Sequence, residues 1–423
     1  ESLARAETLY RDAIAQDPGY AAAHSGLGRT LSFANAALAG DDPEQLDRIV
    51  LPHLARALEL DPGLAEPYMV MGNLRRWSLR AGGDDFYRLA SQLEPSNAMA
   101  HENLAALAHS QNRPDQMLEH ALRARELDPL AFGTHQKVIS ALVVLGRLQE
   151  LDAAVARMNA TLAGNPTAIT LTCNVHLLSG DPPRAIACAD EALRELGEEP
   201  GLIGILAESH ARLGLVDEEQ RFSDRLADEG DPRAALWGLV DRDDRTALRD
   251  TLDAALAGPV AFHEGIELAR AAAAGGFPER ALQIYEVAGV LEATRNDAVV
   301  RASGMESLPE IVLLLRQAGR AAEAQPLVER LLEWSARPLE HGARHADTIA
   351  FHGVALAVAG RLDQAFARLN QAVDAFGSPF DARVLTEGPV GALLGADPRL
   401  EHVFAALQNR QAALRAALPM PPR

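Results

Sequence analysis

The chain has 423 residues, 48% of them hydrophobic and only 4% aromatic, and its formal charge is −19. That length suits two or three globular domains or one long array of repeats. A nucleic-acid-binding protein needs a basic face that displaces counterions from phosphates, so 59 acidic against 40 basic side chains argue against that class. The same balance favours protein partners that carry a basic segment.

Composition also predicts helices. Ala, Leu, Arg and Glu, which are strong helix formers, recur throughout, and no stretch alternates Val, Ile and Thr as a strand does. No apolar run reaches the roughly 18 residues of a membrane span. We therefore predict a cytoplasmic chain without a membrane span. The periplasm is the alternative if a targeting segment precedes Glu1, which is not a methionine.

Two sets of residues mark a repeat along the chain. Prolines recur at intervals of 44, 33, 34, 37, 34 and 32 residues, at Pro18, Pro62, Pro95, Pro129, Pro166, Pro200 and Pro232. Proline lacks an N–H and keeps the preceding residue out of a helix. If the repeat is a pair of helices, each of these prolines should stop the second helix of a pair. Glycines also recur at intervals of 34 residues, at Gly146, Gly180 and Gly214. Each would end the first helix of a pair. These intervals predict a repeated helical hairpin of about 34 residues.

Small residues fill the positions where the two helices of a hairpin would cross. In second helices they lie five residues before proline, at Ala13, Ala57, Ala90 and Ala124. In first helices the equivalent residues are Gly28, Gly72, Ala105 and Cys173, beside apolar Leu27, Met71, Leu104 and Val138. Short side chains allow two helices to approach closely. One hairpin buries too little apolar surface to fold alone, so neighbouring hairpins must stack.

In period and small-residue placement the chain resembles the tetratricopeptide repeat (TPR) family over most of its length. Segments 179–193 (SGDPPRAIACADEAL) and 359–373 (AGRLDQAFARLNQAV) fit the family's second-helix pattern. The family's first-helix tryptophan is missing and is replaced by His24, Tyr68, His101 and His135. The resemblance implies an all-α fold, a TPR-type α-solenoid. Its stacked antiparallel helix pairs would form a right-handed superhelix, with first helices lining a concave groove.

We predict about ten helix-pair units in four segments. Residues 1–231 would form an N-terminal TPR array, and 232–304 would hold degenerate repeats. Residues 305–377 would form C-terminal TPR-like repeats, and 378–423 a capping helix and tail. Residues 289–304 have no clear partner helix and are the candidate bend. The two ends of the chain also resemble, more narrowly, TPR regions of bacterial winged-helix regulators and adenylate cyclases.

Six polar residues on first helices are candidates for the floor of the groove: Arg29, Asn73, Arg76, Asn103, Lys137 and Asn174. They could hydrogen-bond an extended or helical peptide. Resemblance to chaperone-binding TPR domains implies another ligand, a partner's terminal carboxylate, although the ordered Lys and Asn clamp of that group is not reproduced. Residues 190–231 carry 13 acidic and 4 arginine side chains and are a candidate surface for docking a basic partner segment.

Signatures of catalysis and cofactor binding are lacking in the sequence, which has no dinucleotide fingerprint, phosphate loop or nucleophile elbow. His341, His345 and His352 would lie near one face of a helix, but eleven residues span ~16 Å, too far for one metal ion. Cys173 and Cys188 fit neither a metal-type spacing nor a disulfide framework, so we expect buried or half-buried free thiols. We predict no enzyme activity, cofactor or metal.

These features predict a non-enzymatic interaction scaffold that holds a partner protein or peptide in the concave groove of a TPR superhelix. The alternative is a sensory or regulatory TPR region of a bacterial transcription regulator or adenylate cyclase. In that case a ligand or partner would bend the array about residues 289–304.

Overall fold

The structure is a computed structural model that describes residues 2–36, 38, 42–77, 83–228, 232–295, 305–380, 382–386 and 388–418. Helices joined by turns make up these residues, together with one isolated bridge between His345 and Phe376. Consecutive helices pack in antiparallel pairs, so the predicted all-α solenoid class is confirmed. Of the helices described, none combines the length and the apolar character that crossing a bilayer requires.

The N-terminal half is one helix followed by six helix pairs. The helices are α1 (Ser2–Gln16), α2 (Ala21–Ala34), α3 (Pro43–Leu60), α4 (Ala65–Trp77), α5 (Gly83–Leu93), α6 (Ala98–Ser110), α7 (Pro114–Leu127), α8 (Phe132–Leu145), α9 (Leu148–Thr161), α10 (Pro166–Leu178), α11 (Pro182–Leu196), α12 (Pro200–Arg212) and α13 (Val216–Asp228). From α2 onward, each even-numbered helix is the first of a pair and packs against the odd-numbered helix that follows it.

The C-terminal half is less regular. Its helices are α14 (Pro232–Asp241), α15 (Arg245–Leu256), α16 (Phe262–Ala274), α17 (Pro278–Val287), α18 (Val290–Arg295), α19 (Leu308–Gln317), α20 (Ala321–Glu340), α21 (Ala346–Val358), α22 (Leu362–Val373), α23 (Gly388–Gly395) and α24 (Arg399–Arg415), with a 3-10 turn at Ala382–Leu385. The pairs α16–α17, α19–α20 and α21–α22 continue the solenoid, and one apolar core runs from α14 to α24.

Proline acts in two ways at the pair boundaries. Pro62 lies in the turn after a second helix, as the sequence predicts. Pro166 and Pro200 instead open α10 and α12 at the first helical position, where the missing N–H removes no helical hydrogen bond. Pro232 is likewise the first residue of α14, so the prediction that proline stops a second helix is wrong for these three prolines.

Small residues at the predicted crossings are buried, except Ala13 of α1, which is half-buried. Ala57, Ala90, Ala105 and Ala124 have no exposed surface, and neighbouring Leu104 is 6% exposed. Because a larger side chain at these positions would push the paired helices apart, the alanines set the close interaxial distance. These buried small residues therefore lie where paired helices cross, as predicted.

The predicted segment boundaries and bend stay predictions. Residues 289–304 were the candidate bend, and residues 296–304 lie outside the described part of the chain. In the described remainder, Val290 and Leu291 of α18 are buried in the same apolar core as α16 and α17. This part of the candidate bend is therefore packed against its neighbours.

The chain folds back on itself. We call the described residues of 308–418 the C-terminal block. The block contacts turns of the N-terminal half that join the first helix of a pair to the second. We call the four turns at residues 111–112, 144–146, 178–180 and 212–214 the turn edge. Its hydrogen bonds to the block include Asn112 Nδ2 to the Trp334 carbonyl (3.2 Å), the Arg344 N–H to the Val144 carbonyl (2.9 Å), the His345 ring to the Leu178 carbonyl (2.7 Å) and Arg212 to the Pro379 carbonyl (3.2 Å). Four consecutive turns thus contact one part of the chain.

Charged groups reinforce this contact. Arg212, only 7% exposed, lies 3.2 Å from the Asp347 carboxylate, and His341 Nδ1 lies 3.0 Å from Asp115. Buried arginine needs a carboxylate or carbonyl partner, and Arg212 finds both across the contact. The turn edge is therefore a built interface within the molecule.

The chain also covers part of its own first-helix surface. Helix α23 packs against α16, α19 and α21, which are the first helices of three pairs. Its Val390 is 6% exposed and Leu394 is fully buried. A short glycine- and leucine-rich segment, GPVGALLG, therefore lies against the first-helix surface of the C-terminal pairs.

Candidate functional site

A hollow of about 380 Å³ lies on the first-helix surface of α8, α10 and α12. We call it the groove hollow, and its lining residues are Phe132, Gln136, Thr167, Thr170, Leu171, Asn174, Leu177, Gly201, Gly204, Ile205 and Glu208. Apolar side chains alternate with amide and hydroxyl groups, and Glu208 supplies the charge among these described residues. This mixture suits a polypeptide, whose backbone needs hydrogen bonds and whose side chains need apolar contacts.

The centre of the hollow repeats one helical position in three successive units. Gln136, Thr170 and Gly204 lie 34 residues apart, so α8, α10 and α12 present the same point of their surfaces. The residues predicted for the groove floor include none of these three, because they are charged and amide side chains at other helical positions. The 34-residue interval is the signal that could have found them.

Gly204 deepens the hollow at this position. A Cβ atom built there would meet no atom within 4 Å, so the packing of the chain does not require glycine. Glycine inside a helix costs roughly 0.5–1 kcal/mol relative to alanine. Space that the chain itself does not fill is therefore available for the close approach of a ligand backbone.

Of the six residues predicted for the groove floor, Asn174 lines the hollow. Arg29 and Lys137 face carboxylates on the adjacent first helices instead. Arg29 Nε is 3.1 Å from Glu66, and Lys137 Nζ donates to Glu102 over 2.7 Å. These two cations bridge first helices, which accounts for their placement without a ligand.

The other three predicted residues have separate environments. Asn73, 9% exposed, accepts a hydrogen bond from the Tyr87 hydroxyl at 2.8 Å and so ties α4 to α5. Asn103 on α6 has a buried Nδ2 without a hydrogen-bond partner in the described part of the chain. Arg76 is exposed in the last turn of α4. That these residues join Asn174 in binding one ligand stays a prediction.

The three C-terminal histidines do not share a helix face, so that prediction is wrong. Helix α20 ends at Glu340 and α21 begins at Ala346, which puts His341 and His345 in the connection between them. His352 contacts the Ser335 hydroxyl at 3.0 Å, whereas His341 contacts Asp115 and His345 contacts the Leu178 carbonyl. Across the described residues, no three His, Cys, Asp or Glu side chains are arranged to hold a metal ion.

His345 is the most enclosed of these histidines. Burial lowers its pKa, and the neighbouring Asp347 carboxylate acts in the opposite direction. Its Nε2 lies 2.7 Å from the Leu178 carbonyl, which can only accept, so Nε2 carries the proton. The Asp347 N–H donates to Nδ1 at 3.3 Å, so the ring in this geometry is neutral and joins α21 to the turn edge.

The prediction of free thiols is wrong, because Cys173 and Cys188 form a disulfide with their Cα atoms 5.3 Å apart. Cys173 is fully buried at the crossing position of α10, where helix pairs approach most closely. Close approach brings the two sulfurs together although their sequence separation of 15 matches no disulfide pattern. The bond joins α10 to α11 next to Asn174 and the groove hollow.

The acidic segment 190–231 has structural roles in part. Glu199 caps α12 by accepting from the Leu202 N–H, Glu198 pairs with Arg225, and the first turn of α13 is acidic, where the helix dipole favours negative charge. Residues 229–231 lie outside the described part of the chain. Docking of a basic partner segment on this surface stays a prediction.

No family model and no curated protein matches the chain. Solved structures that are similar include YrrB, a TPR protein "with an unusual peptide-binding site" (18% identity, 46% of this chain and 96% of that chain, TM-score 0.35). PilF of Pseudomonas aeruginosa is also similar, at 14% identity (52% of this chain and 95% of that chain, TM-score 0.40). So is the TPR domain of P58(IPK), at 14% identity (94% of this chain and 99% of that chain, TM-score 0.24). TPR proteins are thus among its structural neighbours, as the sequence predicts. Because these TM-scores are below 0.5, the fold is assigned from the chain's own helix pairs.

Proposed function

We propose that the chain is a non-enzymatic scaffold that binds a segment of a partner protein in the groove hollow. One observation carries the proposal. The chain packs its own α23 against the first helices α16, α19 and α21, whereas the first helices α8, α10 and α12 border an open hollow of about 380 Å³. First helices take a segment of the chain itself in one half of the molecule, and in the other half they offer open space for a partner's segment.

The chemistry of the hollow supports an extended, largely uncharged segment. Gln136 and Asn174 each offer a donor and an acceptor, the pair of groups that a peptide unit needs. Leu171 and Ile205 offer apolar contact to the alternate side chains. Glu208 is paired with Arg212, which also pairs with Asp347, so the charge of Glu208 is only partly compensated within the chain.

The charge distribution supports a peptide rather than a terminal carboxylate or nucleic acid. Lys137 and Arg29, the cations of the predicted floor, are each paired with a glutamate. A net charge of −19 likewise repels phosphates. We therefore propose a neutral or basic partner segment.

The Cys173–Cys188 disulfide supports an oxidising compartment, such as the periplasm, over the cytoplasm. Cytosolic thiols are kept reduced by glutathione and thioredoxin, and structural disulfides are rare there.

The proposal is tested by filling the hollow. Peptides are selected from a displayed random library against the full chain, and the affinity of each for the Gly204→Trp variant is measured by calorimetry. An indole at this position should occupy the space that the ligand backbone would use, and weaken binding about tenfold or more. The helix should be preserved, because a Cβ at Gly204 meets no atom within 4 Å.

Gly395→Trp is the matched control, since Gly395 also has no atom within 4 Å of a built Cβ but lies at the end of α23. It should bind the selected peptides as the unmodified chain does. Equal affinity of Gly204→Trp and the unmodified chain for every selected peptide would refute the proposal.

A further inference from the structure

A second hollow, of about 400 Å³, lies between the second helices α20 and α22, with α21 at its base. We call it the outer hollow. Four polar side chains from α22 and its N-cap line one side at a helical spacing, Arg361, Gln364, Arg368 and Gln371. All four carry N–H donors, and no carboxylate is among the described residues that line the hollow. One wall therefore consists of hydrogen-bond donors.

Neither arginine is neutralised. In the described structure the exposed Arg361 side chain has no ion pair, and Arg368 donates to the neutral amide of Gln371 at 2.7 Å. His352, at the base, contacts Ser335 through Nδ1. Burial, then Arg368 and Arg361, lower the pKa of His352, whereas Glu340 acts in the opposite direction. Two positive charges therefore act on the same hollow of an acidic protein.

In two equivalent units, the arginine after the turn pairs with a glutamate that the unit of Arg361 does not have. Arg147 and Arg320 also follow a turn glycine, and each pairs with the glutamate three residues later, Glu150 or Glu323, over 2.6 and 2.7 Å. In the unit of Arg361 the third residue is Gln364, which has no charge. Arg113 likewise has a glutamine three residues later, Gln116, but it does not line this hollow, whereas Arg361 and Gln364 do.

We propose that the outer hollow binds an oxyanion, a phosphate or carboxylate group of a small ligand. Guanidinium and amide donors on one wall match the oxygens of such a group, and charge-assisted hydrogen bonds to arginine are the strong ones. The volume is that of a small-molecule site. Apolar Leu332 and Leu356 on the other side would contact the uncharged part of the ligand.

Calorimetric titration of the full chain at low ionic strength tests this directly, with inorganic phosphate and succinate as separate probes. Saturable binding of phosphate alone, of succinate alone or of both supports the proposal and distinguishes the two oxyanions. Succinamide, the uncharged analogue of succinate, should not bind. Equal binding of succinate and succinamide, or no saturable binding of either anion, would overturn the proposal.

Gln364→Glu is the decisive variant, because it restores the arginine–glutamate pair of the equivalent units. Anion binding should weaken roughly tenfold or more, as expected when a charge-assisted hydrogen bond is replaced by repulsion, while the melting temperature is maintained. Gln116→Glu makes the same charge change three residues after Arg113, outside the hollow, and should leave binding unchanged. Equal affinity of Gln364→Glu and Gln116→Glu for the anion would show that the anion binds outside the outer hollow, and would overturn the proposal.

Discussion

At the scale of single residues, three first helices carry a histidine that hydrogen-bonds to the turn before the helix. His24, His101 and His135 each place Nε2 next to the carbonyl oxygen of the proline six residues earlier, at 3.2, 3.2 and 2.9 Å. A carbonyl only accepts, so Nε2–H donates. The ring therefore ties the start of each first helix to the turn that precedes it.

His135→Phe should expose the contribution of this hydrogen bond. His135 is 1% exposed, and phenylalanine fills a similar space without the N–H donor. We expect a loss of about 1 kcal/mol, the net worth of one hydrogen bond. Hydrogen exchange of the α8 amides measures it, and their protection should fall roughly fivefold.

His101→Phe is the comparison within the same chain. The His101 bond to Pro95 is exposed, so water can replace the ring N–H there at little cost. Its effect on α6 should be smaller than that of His135→Phe on α8. Equal effects in the two helices would show that the loss comes from ring packing and not from the hydrogen bond.

At the scale of helix pairs, the unit α10–α11 is the one that carries a covalent bond. Reduction of Cys173–Cys188, or replacement of both residues by alanine, removes a link across a sequence separation of 15 residues. Closing a loop of this size stabilises the folded state by about 3 kcal/mol in the chain-entropy account. We expect faster hydrogen exchange in α10 and α11 and weaker peptide binding in the adjoining groove hollow.

Adding reductant to the double-alanine variant provides the control, because it should change nothing further. If the unmodified chain, purified without reductant, shows two titratable thiols under denaturing conditions, the disulfide assignment fails. If the bond is present but its reduction leaves exchange in α10 and α11 unchanged, the expected stabilisation is wrong.

Sequence analysis predicts the helix pairs well because their signals act on the nearby backbone. Proline at pair boundaries and alanine at crossings, such as Ala124, depend on a few neighbouring residues. Gly204 escaped notice because a glycine facing an empty hollow has the same local sequence character as one at a helix crossing. The disulfide was missed because residue pairing between antiparallel helices depends on where they cross, which the spacing of 15 does not reveal.

At the scale of the whole molecule, the fold-back of the C-terminal block is the feature that no local pattern predicts. Asn112 and Trp334 are 222 residues apart, and Arg212 and Asp347 are 135 apart. The turn glycines that mark the repeat in the sequence therefore have a second role, because they let the block approach the turn backbone. Gly180 shows this most clearly, since a Cβ there would lie 2.5 Å from the Ser378 carbonyl oxygen.

Gly180→Ala should loosen the contact between the turn edge and the C-terminal block. Gly360 is the matched control, because both glycines follow a first helix, at φ +80° and +78°, and a Cβ at Gly360 meets nothing within 4 Å. Alanine costs about 1–2 kcal/mol in this left-handed conformation at either position, but only Gly180→Ala also collides with Ser378. We therefore expect faster hydrogen exchange at residues 376–380 and a larger radius of gyration in solution scattering for Gly180→Ala alone. Equal exchange at residues 376–380 in the two variants would mean that the turn edge does not hold the block in place.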